Sequence, residues 1–198
     1  MSDDADDMFV LARGPIRDLS DPAVAVSSEL VFEGRIWDVR RDEFQFADHT
    51  IEREYVDHMG AVAVLAIDED GRILLINQYR HPIGLRDWEL PAGLLDVEGE
   101  PPMDAARREL AEEADLAAEH WSELITFHTS PGGSNEVVRI YEARGLSAAE
   151  EPYPRTDEEA EIVLRWVPLD EAVDAVLEGR LTNSILIIAV LAAHATRR

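Results

Sequence analysis

The sequence predicts an α/β protein (α+β in the looser sense), a sandwich of helices and strands with a small antiparallel sheet ahead of it. Three observations carry that prediction. The continuous apolar run Gly60-Ala61-Val62-Ala63-Val64-Leu65-Ala66-Ile67 has the composition of a central strand covered on both faces. Strand-like and helix-like segments are interleaved after it, as layered sandwiches require. Before it, from about Ser28 to His58, short segments with apolar residues at even spacings read as strands.

In chain order, residues 1–24 open with Ser2-Asp3-Asp4-Ala5-Asp6-Asp7 and read as an acidic, flexible, solvated segment without the basic and apolar stretches of a signal peptide. Residues 25–58 hold three expected strands, Glu29–Phe32, Ile36–Phe46 and Thr50–Val56, with Ala47-Asp48-His49 as a turn; Phe44/Phe46 and Ile51/Tyr55 alternate at period two. A sheet this small has little core of its own, so it is expected to pack on the main domain or on another subunit. Residues 59–198 form the main domain. After the first strand, Asp68-Glu69-Asp70-Gly71 is a turn and Arg72–Tyr79 the partner strand. A loop is expected after Trp88-Glu89-Leu90-Pro91-Ala92-Gly93, then a helix over Pro102–Ala114 whose leading prolines suit a first turn. Strands near Trp121–Thr129, Val137–Ala143 and Ile162–Val167 follow, then helices at Glu171–Leu177 and over the apolar run Ile185–Ala193, which Thr182-Asn183-Ser184 would cap. That run is far shorter than the roughly 20 residues that span a bilayer, and a buried terminal helix is expected instead.

Composition narrows the function. There are no cysteines, which excludes disulfides, thiolate metal sites and cysteine nucleophiles and fits a reducing, cytoplasmic setting. Acidic residues number 42 against 18 basic ones, all of them arginine, for a net charge of -24. Such a surface repels nucleic acid phosphates, and no nucleic acid or membrane partner is expected. Without lysine there is no Walker-type phosphate loop, and Ser134 lies outside a Gly-x-Ser-x-Gly elbow because Glu136 takes the last position.

The chemistry concentrates in the helix. Glu109 and Glu112 are three residues apart and Glu109 and Glu113 four, so their carboxylates share a face, while Ala106 and Leu110 mark a buried side. Like charges at these spacings repel unless neutralised. The helix on its own admits two readings, a solvated acidic face or a site for a hard divalent cation with oxygen ligands.

The surroundings of the helix go further. Gly93-Leu94-Leu95-Asp96-Val97-Glu98-Gly99-Glu100, then seven residues, then Arg108-Glu109-Leu110-Ala111-Glu112-Glu113-Ala114-Asp115-Leu116 closely resembles the Nudix box. Two departures stand out: six residues separate Gly93 from Glu100 where the box has five, and Asp115 replaces the usual glycine. The first lies in a loop that tolerates insertion, and aspartate can adopt the left-handed backbone the second demands. Gln78-Tyr79-Arg80, Trp88 to Gly93 and Thr129-Ser130-Pro131-Gly132-Gly133-Ser134-Asn135-Glu136 are similar to the ADP-ribose pyrophosphatase branch of that family.

The resemblance implies an α/β/α sandwich with a mixed sheet, and a homodimer built through the small N-terminal sheet. It implies hydrolysis of a nucleoside diphosphate sugar, ADP-ribose to AMP and ribose 5-phosphate first of all, with Mg2+ or Mn2+ and two or more ions per site. By position, Glu109, Glu113 and the carbonyl of Ala92 would hold metal, with Glu112 supporting and Glu161 an additional ligand. Glu159, in the acidic stretch Asp157-Glu158-Glu159-Ala160-Glu161, would take the proton from the attacking water, with Glu158 and Glu112 as alternatives. Arg80 would grip the diphosphate bidentately. Arg53, Leu94, Gly132, Gly133 and Glu136 would complete the substrate site, Glu136 accepting a ribose hydroxyl. Trp37 or Arg35 would stack on the base only if exposed, and a buried Trp37 is the expectation. The six histidines show no ligand spacing and are read structurally. Two rivals remain: another nucleotide sugar such as GDP-mannose, and a non-catalytic nucleotide-binding regulator, which need not keep Glu100, Arg108, Glu109, Glu112 and Glu113 together.

Overall fold

The structure, a computed structural model, describes residues 15–150 and 161–197. Three strands, β1 (Ala25–Phe32), β2 (Asp38–Phe46) and β3 (His49–Asp57), form an antiparallel sheet by themselves. Phe46 pairs with His49, so the β2–β3 turn is tight and Ala47 is forced to a left-handed φ of 53°.

The main sheets grow around β4 (Ala61–Ala66), every residue of which is buried. Its order is β7 (Ala92–Leu94), β4, β9 (Val137–Ala148), β8 (Leu116–His128). Only the β4–β9 pair is parallel, which makes the sheet mixed. A second, antiparallel sheet has the order β10 (Val163–Pro168), β5 (Arg72–Arg80), β6 (Leu85–Glu89). Alternation along β4 sets the layers. Val62, Val64 and Ala66 pack with Ala105, Ala106 and Leu110 of α1 (Pro102–Ala114). Ala61, Ala63 and Leu65 join a cluster with α2 (Leu169–Leu177) and α3 (Ser184–Thr196). The result is the mixed-sheet sandwich expected, with a small antiparallel sheet beside it.

The differences are local. Residues 85–94, for which the sequence suggests no strand, contain the short strands β6 and β7, whose partners are β5 and β4. Strand β8 starts at Leu116, five residues ahead of its expected start at Trp121, and β9 extends to Ala148, because Leu116 pairs with Ala148 at the far end of one long ladder. Asn183 caps α3 by accepting the Leu186 amide proton, and Leu186, Ala189, Val190 and Ala193 are its buried face. Among the described residues no helix is long and apolar enough to cross a membrane.

Candidate active site

Helix α1 begins on Pro101 and Pro102 and ends on Asp115, held at φ 54°, ψ 34°. The aspartate therefore supplies the left-handed stop that glycine ordinarily gives, its amide bonding back to Ala111. Helix and register at Glu109–Glu113 survive the replacement.

The three carboxylates of α1 are not equivalent. Glu109 and Glu113 are 8% and 5% exposed, turned onto the β7 segment, whereas Glu112 is half-buried. Glu113 Oε2 accepts the amide proton of Ala92 at 2.8 Å. A Cβ on Gly93 would lie 2.0 Å from Glu109 Oε1, so only glycine lets that carboxylate sit against the strand. Arg108 donates to Glu100 with its Nε and Nη2 at 3.2 and 3.0 Å, and to Glu109 and Glu112 at 2.6 and 3.2 Å. Burial pushes the Glu109 carboxyl above its usual range, with Arg108 opposing and Glu112 reinforcing the shift. Buried carboxylates under that pressure call for positive charge.

Among the described residues no three carboxylates or imidazoles close a ring around one point. The set that fits a cation is smaller: the Glu109 and Glu113 carboxylates and the nearby carbonyl of Ala92. Two carboxylates and a carbonyl are hard oxygen donors. Magnesium uses few protein ligands of this kind, completing its octahedron with water and substrate phosphate oxygens. A divalent ion fits.

Beside this face lies an open cleft of about 570 Å3, lined by Trp37, His58, Arg80, Glu89, Ala92–Leu94 and Glu136 among others. Arg80 arrives at the end of β5, where its Nε and Nη2 each donate at 2.7 Å to the two oxygens of buried Glu89, which Gln78 also contacts. The arginine expected to grip a diphosphate is thus aimed by an internal carboxylate that sequence reasoning did not single out. Glu136 accepts from Thr129 Oγ1 through Oε2 and faces His58 Nε2 through Oε1 at 3.2 Å. Trp37, expected to be buried, is 40% exposed and stacks on His58 at 4.3 Å between ring centroids and 22° between planes. The small sheet offers no interior to receive it.

The expected substrate residues fall into two groups. Arg80, Leu94 and Glu136 line the cleft just described. Arg53, Gly132 and Gly133 line a neighbouring cleft of about 490 Å3 together with Phe44, Tyr55 and His128. Ser134 borders both. Arg53 spends one N–H on the carbonyl of Glu52. Glu161 is exposed and ion-paired to Arg86 of β6. Glu158 and Glu159 lie outside the described residues.

The NUDIX domain family pattern matches residues 57–186. An ADP-ribose pyrophosphatase of Mycobacterium tuberculosis is 47% identical over 171 residues, 86% of this chain and 82% of that protein. A methanol dehydrogenase activator of Bacillus methanolicus is 39% identical over 83% of this chain and 89% of its own length. The crystal structure of an "ADP compounds hydrolase" superposes with a TM-score of 0.74, covering 90% of this chain and 96% of that one; at 19% identity the likeness is one of fold.

Proposed function

The chain belongs to the Nudix family, and from that premise we propose that it hydrolyses the diphosphate of ADP-ribose to AMP and ribose 5-phosphate. One observation supports this above the others: the oxygen donors of Ala92, Glu109 and Glu113 adjoin a cleft that also presents Arg80 and Glu136. That is a cation site next to a diphosphate clamp and a hydroxyl acceptor.

Mg2+, in two or more ions, is the resident metal, and when bound it supplies Lewis acidity and offsets charge developing on the diphosphate. The protein's own groups do the rest. Arg80, its guanidinium oriented by Glu89, is placed to bind the phosphate oxygens. Glu136 accepts a ribose hydroxyl. Glu159 takes a proton from the water whose oxygen bonds to one phosphorus as the bridging P–O bond breaks. Glu112 is the alternative base, and Glu161, paired here to Arg86, is the less central metal ligand. The net charge of -24 leaves anion binding to such local positive groups.

Residues 25–58 form the dimer contact, and the partner's copy of that sheet brings Arg53 to the site, which accounts for its lying in a different cleft from Arg80 within one chain. The setting is the cytoplasm, in keeping with a chain free of cysteine.

The test is phosphate-coupled turnover of a nucleotide-sugar panel with magnesium. ADP-ribose should give the highest kcat/KM. Preference for GDP-mannose overturns the substrate, and binding without turnover of any member favours a regulator, the role carried by the name of the Bacillus methanolicus relative. Glu159→Gln should lower kcat by about 10²–10⁴-fold with KM little changed; Glu158→Gln assayed beside it checks the register.

A further inference from the structure

We infer that His58 is a positioning residue for substrate recognition, fixing the carboxylate of Glu136 from behind while its ring holds Trp37 at the mouth of the cleft. The inference rests on the hydrolase reading and deepens it. His58 lies just past the end of β3, where the chain turns into β4 through Gly60 at φ 90°. Its side chain is only 7% exposed, and each atom that can make a polar contact has a defined partner. The Gly60 amide donates to Nδ1 at 2.9 Å, so Nδ1 carries no proton and the ring proton sits on Nε2. Nε2 then faces Glu136 Oε1 at 3.2 Å as a charge-dipole contact, and Thr129 donates to the other oxygen. A carboxylate offers about four lone-pair positions. Thr129 fills one from within and the His58 ring backs the other oxygen, which leaves positions for hydroxyls in the cleft.

The backbone makes the same connection. Val56 donates to the Gly133 carbonyl at 2.9 Å, and Asn135 Oδ1 accepts the His58 amide proton at 2.7 Å. Asn135 Nδ2 donates to Asp57 Oδ1 at 2.7 Å. The Thr129–Glu136 loop is strapped to residues 56–58, and His58 is the point where that strap meets the recognition carboxylate.

The test compares His58→Phe, which keeps a ring against Trp37 but has no donor, with His58→Gln, which restores a donor near the Nε2 position. Each is assayed with ADP-ribose in wild-type and Glu136→Gln backgrounds. His58→Phe should raise KM about tenfold, the order of losing a polar contact that orients a charged group, with a smaller change in kcat. His58→Gln should recover much of that loss, and His58→Phe should add little to Glu136→Gln. Equal KM increases in both backgrounds, or a fall in kcat at unchanged KM, overturn the inference. Nitrogen-15 spectra of the imidazole in the wild-type protein give a reading that needs no variant to fold: a proton on Nδ1 overturns it. If the wild-type protein turns over another nucleotide sugar and not ADP-ribose, the substrate reading falls, and the same series on that substrate still decides the role of His58.

Discussion

Strand β1 carries five apolar residues among its eight and β4 six of six, yet all eight residues of β1 are exposed and all six of β4 are buried. Extended backbone at β4 is held by neighbours on both edges and helices on both faces. At β1 it is held by one edge pairing with β2, leaving Val26, Leu30, Val31 and Phe32 on the surface. Burial and ladder hydrogen bonding are separable contributions, and this chain uses them in different proportions in its two halves. The proposed site follows the same division: the carboxylates proposed to hold a cation stand on the buried layer, while Arg53 and Trp37 come from the exposed one.

The sharpest way to stress that contrast is Glu113→Gln on the buried layer. The amide oxygen can still accept the Ala92 proton, so the melting temperature should hold. Turnover should fall by more than the roughly 10–100-fold that loss of an outer partner of a metal ligand costs, and excess chelator should silence the wild-type protein as well. Full activity in chelator would end the metal-dependent account. Next in size is truncation in the two strands. Leu65→Ala, at a fully buried position, should cost about 2–5 kcal/mol in urea unfolding, while Val26→Ala on β1 should stay within about 0.5 kcal/mol. Comparable costs would erase the distinction.

Phe32→Asp probes what covers the exposed sheet. Sedimentation at micromolar concentration should show a dimer for the wild-type chain and a monomer for the variant, with a weaker response to substrate if Arg53 is shared. An active wild-type monomer would contradict the shared site. A smaller effect is expected at buried Asp87, whose carboxyl burial holds above the usual aspartate range against the Asn183 hydrogen bond. A raised carboxyl favours folding below its unfolded value and costs stability as pH rises through its folded value. Asp87→Asn, which can still accept from Asn183, should therefore flatten the decline in melting temperature between acid and neutral pH. The smallest effect is at the β2–β3 turn: Ala47→Asn, better suited to a left-handed φ, should add up to about 1 kcal/mol.

Much of the buried layer was legible in the sequence because its signals are local. The apolar run of β4 and the prolines before α1 report themselves within a few residues, as does the cap of α3. The spacing of Glu109, Glu112 and Glu113 needs only helical geometry. What escaped depends on partners far along the chain. Strand β7 exists because Ala61–Ala63 lies beside it, and nothing in Ala92-Gly93-Leu94 announces a strand. Glu89 reads as one acidic residue among 42 until β5 and β6 pair and deliver Arg80 to it. His58 shows no ligand spacing because Trp37 and Glu136 reach it only by folding. The separation of Arg53 from Arg80 is likewise a property of tertiary placement.

The strap between residues 56–58 and 133–135 also fixes where the molecule comes apart first. Proteins open in cooperative units set by how much each segment buries and how it is bonded. Strand β1 is joined to the rest by β2 alone, so its amides should exchange with deuterium early. The amides of Val56 and His58 are bonded into a loop whose ends continue into β8 and β9, and they should exchange late, with the central sheet. The protection boundary then falls inside β3 rather than at the end of the small sheet. The last residues of β3 belong, in exchange behaviour, to the domain that follows them.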